Sequence, residues 1–212
     1  MMEMNVGVGA VGSHTVPPEF WAQDLMQRMK LAQPTDTARG MFFRGTLEAI
    51  QGMAPGERLV ERCLKECGQD KFVDFFNYPI AQHLKILSTA LPVLATRHGG
   101  FERAMRELGR RATADFLTTA AGKTMLMLVR GDARRMLSHL PSAYRVSVSF
   151  GQQSVEWLGP TQGRFIARRD FMPYPFHEGT LSSILTSLNV QGVKVQGRQT
   201  RLLDMECDFS WS

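Results

Sequence analysis

Apolar positions along the chain change their spacing near residue 144. Before it they recur every three or four residues, the period of a helix with one buried face; after it they alternate, the period of a strand. In the first regime Phe20, Trp21, Leu25 and Met29 predict a helix from about Pro18 to Leu31, and Pro34-Thr35-Asp36 reads as a linker. Met41-Phe42-Phe43 with Leu47 and Ile50 predict a short helix before the turn at Pro55-Gly56. Leu59, Val60, Cys63, Leu64 and Cys67 share one face of a helix over 57–67, with Gly68 as its C-cap. Pro79 opens a helix that passes Leu84, Leu87 and Leu91 to Arg97, with a kink expected at Pro92. Phe101, Met105, Leu108, Ala112 and Phe116 place another over 101–119. A last, short helix around 133–140 is expected to stop before Pro141.

In the second regime Val146, Val148 and Phe150 alternate with serines, Gly151-Gln152 turns, and Val155 to Trp157 alternate back, which predicts a hairpin. A strand follows over 164–171, a helix over 175–189 and a short strand over 192–196. Leu203, Met205, Cys207, Phe209 and Trp211 alternate with Asp204, Glu206, Asp208 and Ser210, so the closing strand has one buried and one wet face, as in an antiparallel sheet. The expected fold class is α/β (α+β). A helical subdomain over 38–143 packs on a C-terminal antiparallel sheet with one long helix over 144–212. Residues 1–37 form a partly disordered segment with one helix.

Composition narrows the function classes. A chain of 212 residues with 43% hydrophobic and 21% charged residues suits one large domain or two packed subdomains and excludes disorder as the main state. The longest apolar run, Met125 to Val129, is far short of a membrane span. Net charge is +5, much of its excess lying between Arg97 and Arg135. The stripe Phe101, Met105, Leu108, Ala112 turns Arg103, Arg106, Arg110 and Arg111 toward solvent, and no aromatics interleave them, so a nucleic-acid partner is not expected. Three cysteines give no disulfide framework, and residues 1–12 have no signal-peptide pattern; a reduced, cytoplasmic protein is the expectation.

Enzyme motifs fail individually. Gly7-x-Gly9-x-x-Gly12 lacks room for a preceding strand, and Gly122-Lys123-Thr124 lacks the first glycine of a phosphate loop, Leu117 standing in its place. His177-Glu178 begins a zinc-protease motif whose second histidine is Leu181. Cys63 and Cys67 read as core residues rather than zinc ligands. His83 is expected on an exposed helix flank, and His98 at a helix end where a cation suits the dipole. His139 is expected between the two halves. No catalytic or metal site is expected, and the chain reads as a non-enzyme.

Several segments nevertheless carry a resemblance. Ala38-Arg39-Gly40-Met41-Phe42-Phe43, Tyr78-Pro79, Arg106-Glu107-Leu108-Gly109, Leu140-Pro141-Ser142-Ala143-Tyr144-Arg145 and Cys207-Asp208-Phe209-Ser210-Trp211 resemble a myxobacterial domain family of unknown function, over about 38–212. The element order is more distantly similar to the heme-nitric-oxide-binding domains, the 4-vinyl-reductase-type ligand-binding domains and the small TRAPP subunits. Matching Leu137 and Leu140 to the heme domains' apolar segment puts Tyr144 where their ligand histidine belongs. Their Tyr-x-Ser-x-Arg propionate clamp is absent; the hairpin reads Val155-Glu156-Trp157-Leu158-Gly159. The resemblance therefore implies a heme-free branch of a sensor fold, with no cofactor.

The crevice between the halves is the default ligand site, with Phe42, Phe43, Phe116, His139, Tyr144, Trp157 and Phe176 as expected wall residues. An apolar small molecule or acyl chain suits such walls. The expected function is a small-molecule sensor or binding module. The alternative is a ligand-free interaction scaffold similar to TRAPP subunits, its core filled by its own side chains. A protein partner or homodimer is open to either.

Overall fold

A computed structural model describes residues 18–212; the expectations for residues 1–16, the glycine motif included, lie outside the described residues. The helical regime folds as α1 (Pro18–Leu31), α2 (Gly40–Met53), α3 (Leu59–Cys67), α4 (Ile80–His98), α5 (Phe101–Thr118), α6 (Ala120–Val129) and α7 (Ala133–Ser147). Helices α3 and α4 end on left-handed glycines, Gly68 and Gly99. Two three-residue strands, β1 (Thr37–Arg39) and β2 (Asn77–Pro79), pair antiparallel at the starts of α2 and α4. The sheet follows as β3 (Gln152–Trp157), β4 (Gln162–Arg168), β5 (Lys194–Arg201) and β6 (Asp204–Ser210), with α8 (Tyr174–Ser187) between β4 and β5 in the chain. Strand order is β3-β4-β6-β5, antiparallel throughout. The α/β class and its antiparallel sheet are as expected. No helix among the described residues is long and apolar enough to cross a membrane.

Two local expectations are corrected. The helix expected to stop before Pro141 continues through it to Ser147, so Tyr144 and Val146 are helical and the boundary placed at 143/144 falls inside α7. Proline lacks only one helical N–H, and Met136, Leu137 and Leu140 bury the preceding turns, which holds the helix together across the gap. The alternation at Val146, Val148 and Phe150 is therefore not a strand; Val148 makes a single bridge to Ala38, and the hairpin is instead β3 with β4. The second correction is α6, which the sequence pattern left unassigned. Its apolar run Met125 to Val129 has no helical period because the helix is wet on a side that still carries Met127 and Leu128.

Two apolar clusters form the interior. One gathers Phe43, Ile50, Leu84, Leu87 and Leu108 under α2–α5. The other gathers Leu137, Leu140, Phe165, Leu185, Cys207 and Phe209 between α7, α8 and the sheet. The wet face of the sheet carries a lattice of charges: Asp208 accepts from Arg164 and Arg198 (2.6 Å each), and Glu206 from Arg198 and Arg168. Helix α1 closes one side. Trp21 stacks on Phe101 at 4.6 Å, and the buried Asp24–Arg28 pair (2.5 Å) is bound on both members by Gln199 of β5.

The clusters meet where α5 crosses α8. Gly109 and Gly179 allow this: a Cβ on Gly109 would stand 2.1 Å from the Phe176 carbonyl oxygen, and one on Gly179 would stand 1.9 Å from that of Arg106. Both obstacles are backbone and cannot swing aside. Gly109→Ala or Gly179→Ala should each destabilise the protein by about 3 kcal/mol through overpacking. Gly45→Ala, whose Cβ would meet its nearest atom at 3.9 Å, should instead stabilise by up to ~1 kcal/mol through helix propensity. Urea denaturation of the three variants checks this, and equal effects in all of them would refute it.

Candidate functional site

A cavity of about 190 Å³ lies between the two halves. Helix α2 contributes Met41, Phe42 and Thr46; α5 contributes Ala112, Thr113 and Phe116; α7 contributes Leu140, Ala143 and Tyr144; α8 contributes Phe176, His177 and Thr180. Met125 of α6 and Phe150 and Met172 of the connecting segments complete an apolar wall. Exposed Glu48 and Asp115 mark where the lining reaches solvent. An apolar cavity of ~150 Å³ holds one benzene, so this one takes a small ring or a short acyl segment.

Its polar groups face one another. Tyr144 Oη lies 3.1 Å from His177 Nδ1, and His177 Nε2 lies 3.4 Å from Asp170 Oδ1. His177 and Asp170 are buried, and His177 Nε2 makes no hydrogen bond among the described residues, facing Asp170 as a charge only. Burial, then the nearby Asp170 and Cys207, raises the Tyr144 phenol well above its ordinary value, so it stays neutral. Burial alone would raise the Asp170 carboxyl, but His177, the Met172 amide and Arg28 together hold it below the usual range. On the opposite wall His83 Nε2 pairs with Thr46 Oγ1 at 2.9 Å, and burial pushes its pKa down to about 4. Arg44, the one guanidinium among the lining residues, is bound by Asp74 (2.7 Å) and Glu48 (2.6 Å).

Of the expected wall residues the structure brings together Phe42, Phe116, Tyr144 and Phe176. The other three lie elsewhere. Phe43 points from the adjacent face of α2 into the helical core, stacked on Phe72 at 4.6 Å. His139 is exposed on α7, because the helix continues and turns it away from the buried Leu137 and Leu140. Trp157 packs outside the cavity, with its Nε1 donating to Ser138 and the Arg134 guanidinium over its ring at 4.1 Å. His83 is buried rather than exposed, since Thr46 supplies its partner. Nor is Arg106 simply solvated: it pairs with buried Glu178 across the α5–α8 crossing. Asp170 and the role of His177 escaped the sequence reading. The one available signal was a carboxylate just after an apolar strand pattern, at Ile166 to Phe171. Cys63 and Cys67 are buried free thiols aimed at the Ile86 and Gln82 carbonyls, and burial raises them to about 12 and about 11.

Residues 31–212 match a protein family described as "Protein of unknown function (DUF2378)". By sequence, no curated protein matches the chain at a significant level. Among solved structures it is similar to the Fe(II) unliganded H-NOX protein from K. algicida, at 11% identity and a TM-score of 0.64, covering 82% of this chain and 96% of that one. It is also similar to an oxygen-binding H-NOX domain related to soluble guanylate cyclases, at 10% identity and a TM-score of 0.61, covering 82% and 95%. A structure concerned with heme redox potential and porphyrin distortion matches at 11% identity and a TM-score of 0.59, covering 81% and 99%.

The buried His83 has a consequence for stability. Its folded pKa of about 4 lies below the ordinary 6.5, so as pH falls through that window protons bind the unfolded chain preferentially and stability is lost. The loss should total about 3 kcal/mol, at ~1.4 kcal/mol per pH unit. His83→Gln, which keeps a partner for Thr46, should remove this part of the acid slope. Denaturation midpoints at a series of pH values measure it.

Proposed function

The chain belongs to the DUF2378 family of proteins of unknown function, and we propose that it is a non-enzymatic sensor or binding module whose cavity takes a small, mainly apolar molecule. The observation that carries this reading is an apolar cavity with one buried polar chain, Tyr144–His177–Asp170, at its wall. A ligand with an aliphatic or aromatic body and a single hydrogen-bonding group fits it: the body occupies the space between Phe42, Phe116 and Phe176, and the polar atom meets the Tyr144 hydroxyl. The cavity itself disfavours the alternative of a ligand-free scaffold filled by its own side chains.

Heme, which the fold's Fe(II) and oxygen-binding neighbours imply, does not fit the residues present. The cavity of about 190 Å³ is below the ~300–1,000 Å³ of sites for drug-sized ligands, and a porphyrin is larger than most of those. The position matched to the iron ligand is Tyr144, a neutral phenol whose oxygen is paired with His177. The one lining guanidinium, Arg44, is already held by two carboxylates rather than free for propionates.

Native mass spectrometry against the denatured mass tests the reading, with medium-chain alcohols and the matching hydrocarbons as probes. We expect one apolar molecule per chain, and about tenfold weaker binding of probes carrying a polar head in Tyr144→Phe, the effect of one lost hydrogen bond of ~1.4 kcal/mol. Probes of the same length without a polar head should bind that variant unchanged. A stoichiometric Soret band on adding hemin, abolished in Tyr144→Phe or His177→Ala, would overturn the proposal.

A further inference from the structure

The tip formed by α6 and the start of α7 combines exposed aliphatic side chains with a cluster of cations. Met127 and Leu128 are 69% and 66% exposed, side by side on α6. Around them Lys123, Arg130 and Arg135 are exposed, with Arg134 and Arg145 further along α7. Residues 120–146 hold these five cations against Asp132 alone, a net +4 in a chain of +5. Asp132 itself is spent on capping α7, its carboxylate accepting from the Arg135 amide at 2.9 Å.

None of the five cations forms an ion pair among the described residues, whereas half of the cations elsewhere do. Arg110 and Arg111 share Glu107; Arg164 and Arg198 share Asp208; Arg169 binds Asp36. Arg134 uses its donors on the Gly159 and Pro160 carbonyls, which leaves its charge uncompensated. Arg130 and Arg135 flank a surface groove of about 320 Å³ that also touches Thr124, Met127 and Leu128. Two neighbouring guanidiniums are suited to a phosphate.

We propose that this tip docks the protein on an anionic phospholipid surface, with Met127 and Leu128 entering the headgroup boundary and Lys123, Arg130 and Arg135 meeting lipid phosphates. Charge complementarity with two protruding aliphatic side chains is the signature of interfacial binding. The apolar part is too small for a stable protein interface, which buries ~800 Å² per partner. Among the described residues the aromatic beside these cations is half-buried Trp157, whose ring is covered by Arg134 and so is no open stacking platform for a single-stranded nucleic acid. Docking here is independent of the cavity reading: only Met125, on the inner side of α6, reaches the cavity wall.

Co-sedimentation of the full chain with phosphatidylcholine vesicles, with and without phosphatidylglycerol, tests this. We expect binding only to the anionic vesicles, weakening as salt rises. Each charge removed should cost about fivefold in partitioning, so the combined Lys123→Ala, Arg130→Asn, Arg135→Ala variant should lose about a hundredfold. Met127→Ser with Leu128→Ser should weaken vesicle binding while leaving heparin binding unchanged. Lys65→Ala with Lys85→Ala, exposed cations on α3 and α4, should change nothing. Circular dichroism confirms that these surface variants fold. Absence of vesicle binding, equal binding to neutral vesicles, no effect of the triple variant, or tighter binding of duplex DNA lost on the same substitutions would overturn the proposal. Loss of probe binding in Tyr144→Phe with vesicle binding intact would separate a cavity effect from this one.

Discussion

Everything in this fold depends on how closely α5 can approach α8. At Gly109 and Gly179 the two helices touch backbone to backbone, each glycine facing a carbonyl of the other helix. That approach joins the helical cluster to the cluster over the sheet, which otherwise have separate cores. It also bounds the cavity. Ala112, Thr113 and Phe116 follow Gly109 along α5, and Phe176, His177 and Thr180 surround Gly179 on α8; all six line the open space. Thr113 and Thr180 hydrogen-bond at 3.2 Å, and Arg106 pairs with Glu178, so polar contacts flank the glycine contact. The cavity is thus a product of packing geometry: two helices held in contact by the absence of side chains at one point are kept apart by bulkier ones beside it.

Asp170 is the second junction. Its carboxylate accepts from the Met172 amide at 2.8 Å and faces His177, and its carbonyl accepts from buried Arg28 at 3.2 Å. Arg28 in turn is held by Asp24 and Gln199. A continuous set of buried polar contacts therefore runs from α1 through β5 to the cavity wall. An isolated charge in such a place would be costly; here each charged group has a partner of opposite sign or a dipole. The first described helix is consequently part of the site's support and not an appendage to the fold.

How much of this was legible in the sequence depended on whether a residue's partner was local. The period of α4 and α5, the C-cap at Gly68 and the alternation of β6 are local signals, and they fixed most element positions. Pro141 misled because a proline is a local breaker, whereas the burial that carries α7 past it is tertiary. Helix α6 was invisible because its wet side is apolar, so that no periodicity distinguishes it. In the site, Phe42, Phe116, Tyr144 and Phe176 were found by aromatic character and position. Asp170 was missed because its partners, His177 and Arg28, lie 7 and 142 residues away in the chain, and no spacing rule connects them. His139 was chosen for its apolar neighbours, but in a helix the residues next in sequence are not on the same face.

Structural likeness at 11% identity shows the fold and leaves the chemistry of the cavity to individual side chains. At Tyr144 the oxygen that reaches the cavity belongs to a neutral phenol, and its nearest partner is the His177 ring. A phenol so held has one donor and one acceptor role to divide between His177 and whatever enters the cavity. If His177 accepts, the phenol presents only oxygen lone pairs to a ligand; if His177 donates, it presents its O–H. The His177 tautomer, set from behind by Asp170, therefore decides whether the site selects a ligand that donates or one that accepts. A carboxylate 3.4 Å from Nε2 favours the tautomer with its proton there, in which Nδ1 is the acceptor and Tyr144 its donor. In that state the cavity offers a ligand the phenol's lone pair, and a hydroxyl-bearing apolar molecule complements it better than a carbonyl compound does.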